Sequence, residues 1–521
     1  MFSPGSNFSP VAEQVATVCM PYVLLVLSVF LILKVFVLRG DRGRRPKHLQ
    51  EPPGPLGFPI IGNVLQLRPN PPVAFANLAK KFGNVIKLKI GSRPVIVLNS
   101  YRAIQQALVR QSVSFSGRPD FIGFRKVVSL SGGLLSFCNY DEGWKLHRKL
   151  VDTAIRHFTS GQRVSQIERQ VEFEAKELIN FILGKNKTTI TKLSNLLRFS
   201  GSNVIVNALF HVRHELDNVA LESLVKGWGL MINEISGSNM IDFMPWLRPF
   251  LTHKVKAFEA YAEHFVGLLQ DYLREHRENY EKGMDSDICY YLRTLWNNMD
   301  ILEREKITEK KVMSTVYDFF GAGLETVAVT LEWAYLYAIY YPDLQDRMHA
   351  EIDRVVGRKR LPTLADRGNL PYTEAFLVEV SRHSFVLPNT LPHLTTRGTV
   401  LEGGFNYFIP KDTVVFINLY GIQRDPELWE NPHVFSPGRF LTEDGSKLDT
   451  AKAELLMRFG GGRRRCPGSE LAQMEMFLFF TIMLHQCDLK NVGGQNLSLE
   501  GEISMLLTKP PSYQMEITRR T

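Results

Sequence analysis

Cysteine is scarce in this chain: five in 521 residues, at Cys19, Cys138, Cys289, Cys466 and Cys487. An odd, scattered set excludes a disulfide framework and fits reduced thiols facing the cytosol. Zinc-ligand spacing, a phosphate-binding loop and a dinucleotide fingerprint are all missing, so no flavin or nicotinamide motif is present. There is no internal repeat and no long low-complexity tract. The net charge of +9 is spread along the chain, which gives nucleic acid no concentrated basic face to bind. What remains is an ordinary globular composition, 45% apolar and 22% charged, with enough apolar residues for a sizeable core. Length alone would suggest about three domains.

The N-terminus carries one long apolar stretch. Val15 to Leu33 is uncharged, and after Lys34 the run Val35 to Leu38 continues it. That length spans a bilayer, with Lys34 able to snorkel. Arg39, Arg42, Arg44, Arg45 and Lys47 follow, whereas only Glu13 is charged before the span. The positive-inside rule therefore predicts a lumenal segment 1–14, an uncleaved anchor over 15–38 and a cytosolic remainder. A basic and proline-rich linker, 39–58, containing Glu51-Pro52-Pro53-Gly54-Pro55, leads to a body over 59–521. In that body Val85–Ile90 and Val95–Leu98 read as a hairpin around Gly91-Ser92-Arg93-Pro94, and Val414–Ile417 reads as a strand. Most of the rest has helical period, which predicts a mainly α fold with a minor β portion.

The chemistry gathers near the C-terminus, at Phe459-Gly460-Gly461-Gly462-Arg463-Arg464-Arg465-Cys466-Pro467-Gly468. A helix-compatible run, Leu471 to Leu484, follows, with Pro467 suited to its first turn. The helix dipole, Arg464 and Arg465 would all favour a Cys466 thiolate, and the glycines let backbone N–H groups approach the sulfur. A lone cluster of this kind is commonly a surface turn. Here Phe459, Gly462, Arg464, Cys466 and Gly468 meet every fixed position of Phe-x-x-Gly-x-Arg-x-Cys-x-Gly. This resembles the haem-binding signature of the cytochrome P-450 superfamily, whose cysteine is the axial iron ligand.

The resemblance extends over about residues 52 to 521, with its motifs in order. A predicted helix from about Thr308 to Tyr340 contains Gly321-Ala322-Gly323-Leu324-Glu325-Thr326, and two glycines there cost roughly 1 kcal/mol each relative to alanine. They answer either to close helix packing or to room for a flat cofactor. Ala322, Gly323, Glu325 and Thr326 match the superfamily segment beside bound oxygen. Glu379 and Arg382 share one helix face. With Arg439 of Pro437-Gly438-Arg439-Phe440 they resemble a structural triad, although Gly438 stands where glutamate is usual. Arg118, Trp144, Arg148, His393 and Arg464 match positions that serve the haem propionates. Phe121, Phe124, Asp318, Phe319, Ala322 and Leu387 fall in segments that border the substrate pocket in that family, or equally in core.

Phe-Ser-Gly-Arg-Pro at 115–119, Pro-Tyr-Thr-Glu-Ala at 371–375 and Pro-His-x-Thr-Thr-Arg at 392–397 look most like animal microsomal members. The aryl-hydrocarbon-oxidising family is nearest and the steroid 17-hydroxylases next. The resemblance implies one catalytic domain holding haem b. It implies a monooxygenase that places one atom of O2 into an apolar substrate, an aromatic xenobiotic, steroid or fatty acid, with Thr326 and Glu325 delivering protons. An NADPH-dependent cytochrome reductase would supply electrons, with cytochrome b5 as a further donor. The expected location is the endoplasmic reticulum membrane, single-pass, with the catalytic domain cytosolic. Two alternatives stand beside this: an isomerase or dehydratase of the same fold, and a non-catalytic haem- or sterol-binding membrane protein.

Overall fold

The computed structural model describes residues 20–22, 25–28, 49–184, 189–190, 193–216, 218–235, 239–282 and 285–520. Contacts divide the chain into residues 1–50 and 51–521. The predicted span 15–38 lies largely outside the described residues, and no helix among those described is long and apolar enough to cross a membrane.

Residues 51–521 are mainly helical, as the periodicity predicts. The helices that position the site are α1 (Ile122–Ser131), α2 (Glu142–Thr159), α3 (Val164–Gly184), α4 (Leu193–Phe210), α5 (Val219–Ile235), α6 (Thr252–Glu278), α7 (Ile288–Asn297), α8 (Thr315–Tyr340), α9 (Pro371–His383) and α10 (Ser469–Gln486). α8 is apolar on nearly every face and is accordingly buried, packed against α4, α9 and α10. The helix predicted from Thr308 is broken at Ser314. Ser314 and Thr315 each donate a hydroxyl proton to the carbonyl three residues back, Lys311 O at 2.7 Å and Val312 O at 2.6 Å. Such local bonds compete with the helical ladder. α10 starts at Ser469 with Gly468 as its N-cap, so Pro467 lies just before the helix and not in its first turn.

The main sheet joins β1 (Val85–Ile90), β2 (Arg93–Leu98), β3 (His393–Leu394) and β4 (Val414–Ile417) in the order β1-β2-β4-β3. β2 pairs antiparallel to β1 and parallel to β4. The hairpin turn is tighter than predicted, because β2 begins at Arg93. Pro94 is tolerated because the parallel partner starts only at Val95. An antiparallel bridge from Gly117 to Leu394 brings the 115–118 segment to β3. A second sheet sets Thr189–Ile190 and Cys487–Asn491 on either side of Met515–Arg519.

Glu379, Arg382 and Arg439 assemble as the motif order predicts. Arg382 holds both oxygens of Glu379 at 2.7 Å, and both side chains are fully buried. Glu379 Oε1 also accepts from Arg439 Nε at 3.0 Å and Ser436 N at 2.8 Å. The remaining Arg382 donors reach the carbonyls of Gln423 and Pro432 at 2.9 and 2.8 Å. The 437–440 turn keeps Arg439 on station despite glycine at 438. Removing the shared carboxylate leaves buried cations unpaired, so Glu379→Ala should lose about 3–5 kcal/mol in urea unfolding of the holoprotein. A loss below about 1 kcal/mol, the scale of an exposed pair, would contradict a buried anchoring role.

Candidate functional site

The turn before α10 folds back on itself: Gly460 N donates to Met457 O at 2.7 Å, and Cys466 N donates to Phe459 O at 2.9 Å. Gly460 and Gly462 have φ of 71° and 62°, a region that favours glycine. At Gly462 the reason is also steric, since a Cβ there would stand 1.6 Å from the Leu108 carbonyl oxygen. Cys466 is half-buried. The predicted ease of ionisation is not what the fold alone supplies: burial raises the Cys466 thiol pKa, opposed by a Gly468 N–H bond and by Arg148 and Arg465. Desolvation outweighs the nearby cations here, and a bound metal cation is what would hold such a sulfur as thiolate.

Arg464 turns inward from the same loop. Its three nitrogens donate to the carbonyls of Ser116 (2.9 Å), Leu135 (2.9 Å) and Cys138 (2.7 Å), and its plane lies 4.2 Å from the Trp144 ring centre. Trp144 Nε1 donates to the same Leu135 carbonyl at 2.8 Å. Arg118 donates to the carbonyls of Ser136 (2.8 Å), Leu391 (3.2 Å) and Pro392 (2.8 Å). Next to it, the ring of His393 bonds the Phe115 carbonyl through Nδ1 at 2.8 Å. On α2, one turn beyond Trp144, Arg148 donates to Arg465 O at 2.7 Å and to Asp152 at 2.9 Å. Five predicted cofactor residues from separate parts of the chain therefore meet around residues 135–138 and the 464–465 turn.

The electrostatics of this cluster are unusual. Among the described residues, Arg118 and Arg464 form no ion pair and bond only peptide carbonyls. Burial lowers Arg118 to about 9, and burial together with Arg118 lowers Arg464 well below the usual guanidinium range. The His393 imidazole is held neutral by burial and by Arg118. Two enclosed cations with no direct ion-pair partner, and only the Asp318 carboxylate acting on Arg464 from nearby, fit an anionic partner.

Midway along α8 the buried surface is interrupted. Ala322 is exposed and Gly323 and Thr326 are half-buried, between buried neighbours, so this face borders open space. Thr326 Oγ1 donates to Ala322 O at 2.9 Å, which leaves its lone pairs as acceptors. Glu325 points elsewhere. Arg198 of α4 binds it at 2.8 and 3.0 Å, and Lys509 lies 3.4 Å away. The structure thus does not bring the Glu325 carboxylate to the Thr326 hydroxyl. The two glycines answer to packing: a Cβ at 321 would meet the Trp228 ring at 2.4 Å, and one at 323 would meet Ile205 at 2.8 Å.

The residues predicted to border a substrate are placed as follows. Phe121 and Phe124 are buried, Phe121 against Phe243 at 5.2 Å and Phe124 stacked on Phe137 at 4.4 Å. Asp318 accepts from the Leu135 and Ser136 amides and the Ser136 hydroxyl, with burial raising its pKa to about 6. Phe319 and Leu387 are half-buried against the core. Arg198, Lys509 and Trp228 escaped the sequence reading, since no local spacing marks an arginine 127 positions from its carboxylate.

These residues fit haem b. Cys466 would supply the axial sulfur and Arg118, Arg464, Trp144 and His393 would face the propionates. A Cβ added at Gly468 would meet nothing within 4 Å, consistent with room beside the sulfur.

The cytochrome P-450 family profile matches residues 52–517. Cytochrome P-450 1A5 of Gallus gallus is 36% identical over 486 residues, covering 91% of each chain. Cytochrome P-450 1A2 of Homo sapiens is 36% identical over 485 residues, 91% of this chain and 93% of the relative. Cytochrome P-450 1A2 of Rattus norvegicus is 34% identical over 509 residues, 96% of each.

The Gly462 geometry generates a test. Gly462→Ala forces a left-handed alanine against a backbone oxygen, a strain of about 1–3 kcal/mol that the cysteine turn must absorb by moving. The variant should retain less haem per chain than wild type after gel filtration. Equal haem content and equal stability would show that the close approach to Leu108 is not required.

Proposed function

The chain belongs to the cytochrome P-450 family and is a haem-thiolate monooxygenase; from that premise we propose that Cys466 is the axial ligand. We also propose that one atom of O2 enters an apolar substrate (aromatic, steroid or fatty acid) with electrons from an NADPH-dependent reductase. The observation that carries the assignment of residues is the pair Arg118, buried, and Arg464, half-buried, beside the Cys466 turn, neither of which has an ion-pair partner among the described residues. When bound, haem iron held by a cysteinate supplies the oxygen-activating chemistry.

The chain's own side chains contribute binding, orientation and proton handling. Arg118 and Arg464, with Trp144, Arg148 and His393, would hold the anionic edge of a bound haem. Thr326 is the proton-handling residue. With its own proton given to Ala322 O, its hydroxyl oxygen orients proton donors on the open face of α8. Glu325, bound by Arg198 and turned away from Thr326, anchors α8 to α4, and Glu379, Arg382 and Arg439 act as structure. Phe121, Phe124, Asp318, Phe319 and Leu387 shape the pocket as packed walls.

Attachment to the endoplasmic reticulum membrane through the 15–38 span, with the 59–521 domain cytosolic, is supported by the apolar length and the basic flank. It is further supported by surface residues of the body: Leu56 (94% exposed), Phe58, Ile60 and Leu65 are exposed, as are Trp246 and Phe250. These two groups neighbour one another, because Gly91 N bonds Ile61 O and Ser92 N bonds Phe243 O. An apolar patch of this kind suits a lipid surface. Exposed Lys149 of α2 with Arg463 and Arg465, beside Lys145 paired to Glu142, gives a basic face suited to an acidic electron donor such as the reductase or cytochrome b5.

Two measurements test this reading. Cys466→His should abolish turnover and the red-shifted band of the reduced carbonyl complex; a variant keeping that band would sink the assignment. Thr326→Val keeps the shape and removes the hydroxyl. Loss of one hydrogen bond is worth about 0.5–1.5 kcal/mol of stability, whereas loss of a proton-transfer role is worth roughly 10²–10⁴ in rate. Product formed per NADPH should therefore fall while hydrogen peroxide rises and substrate affinity holds. Equal coupling ratios in the two proteins would remove Thr326 from the catalytic set.

A further inference from the structure

Away from this site, one cavity presents polar atoms that the protein leaves unsatisfied. It lies between the C-terminal end of α4, the last turns of α6 and the start of α7, and measures about 390 Å³. His276, 8% exposed, and Asp287, 1% exposed, line it. His276 Nδ1 and Asp287 Oδ2 face each other across 3.9 Å, and among the described residues neither makes a hydrogen bond.

Both atoms are acceptors. His276 Nε2 lies 3.1 Å from the Phe210 carbonyl, which can only accept, so Nε2 carries the proton and Nδ1 the lone pair. Burial keeps this imidazole neutral. Asp287 caps α7 through Oδ1, which accepts from Tyr290 N at 2.8 Å; the Ser286 hydroxyl and the Cys289 amide also act on the carboxylate, and Oδ2 is the atom left without a partner. Two enclosed acceptors side by side call for a molecule with at least two acidic protons. An alcohol has one and serves only one of them; a primary ammonium has three.

Behind the cavity the buried Arg293, paired with Glu309, acts on His276, but the open side is acidic. Glu275 stands at the rim, and the adjoining groove, which shares Tyr272 and Glu275, adds Asp271 and Glu278. Its arginine, Arg274, is paired with Asp271 at 2.8 Å. The walls are aromatic: Phe210 stacks on Tyr272 at 5.1 Å, and His276 lies 4.4 Å from Tyr290. Ring faces attract cations and accept an apolar body. Groups of three or more potential metal ligands do not occur among the described residues, which disfavours a metal ion. The geometry points to a binding site for a small arylalkylamine, its ammonium bridging Asp287 Oδ2 and His276 Nδ1 and its ring against Tyr272 and Tyr290.

The test uses the ferric holoprotein with cyanide on the iron, so that an amine has no iron to ligate. 2-Phenylethylamine is titrated by calorimetry against 2-phenylethanol, which has the same body and a neutral head. The amine should bind saturably and about tenfold or more tightly than the alcohol, the scale of an ionic hydrogen bond. Asp287→Asn keeps an N-cap oxygen and removes the charge; it should weaken the amine by about tenfold or more. Glu275→Gln, at the exposed rim, should weaken it by a factor of about two to three. Equal affinity for amine and alcohol, no saturable binding, or an Asp287→Asn protein with normal haem content that binds like wild type would overturn the proposal. A bridging water would then account for the two acceptors.

Discussion

Two guanidinium groups enclosed against peptide carbonyls set the geometry on which the candidate site depends. Arg118 and Arg464 between them bond the carbonyls of residues 116, 135, 136, 138, 391 and 392. They thereby tie the 115–118 segment, the loop before α2, the 391–392 segment that leads into β3 and the cysteine turn to one another. Each cation is costly to bury, and each makes the other more so. Carbonyl dipoles offset part of that penalty without removing charge. A dianionic edge would complete the balance, so the same contacts that hold the loops also reserve a place for the cofactor's propionates.

Other buried charges in the fold are treated differently, and the contrast separates structure from chemistry. Around Glu379 the carboxylate is shared by Arg382 and Arg439 and every oxygen is bonded, so the cluster has nothing left to offer a ligand. Glu325 is likewise claimed by Arg198. The hydroxyl of Thr326, by contrast, bonds within its own helix and keeps acceptor capacity toward open space. Charge that is satisfied inside the protein anchors; charge or lone pairs left over point at what binds.

Much of this was legible in the sequence because it is encoded at short range. The 459–468 turn, the Glu379 and Arg382 pair three residues apart on a helix, and the Trp144 and Arg148 pair on α2 are local patterns with local geometry. The mainly α fold with a small sheet follows from periodicity in the same way. What escaped is either long-range or a contest between local forces. Arg198 meets Glu325 across 127 positions. Gly321 and Gly323 owe their identity to Trp228 and Ile205, which no spacing announces. The break at Ser314 arises from hydroxyl bonds competing with the helix, and Pro94 enters β2 because of where β4 begins. For Cys466 the effect of Arg465 has the sign the sequence suggests, Arg464 turns away to other partners, and desolvation, invisible without the fold, is the larger effect.

The most direct test of the central claim compares haem b with its dimethyl ester as ligands for the cofactor-free protein. The two have the same iron, ring and access to Cys466, and differ in whether the propionates carry charge. If Arg118 and Arg464 await an anionic edge, haem b should win the competition by about a hundredfold or more, the scale of a desolvated charge-assisted pair. It should lose most of that advantage when Arg118 and Arg464 are both replaced by glutamine. Equal uptake of the two forms by the wild-type protein would contradict the account.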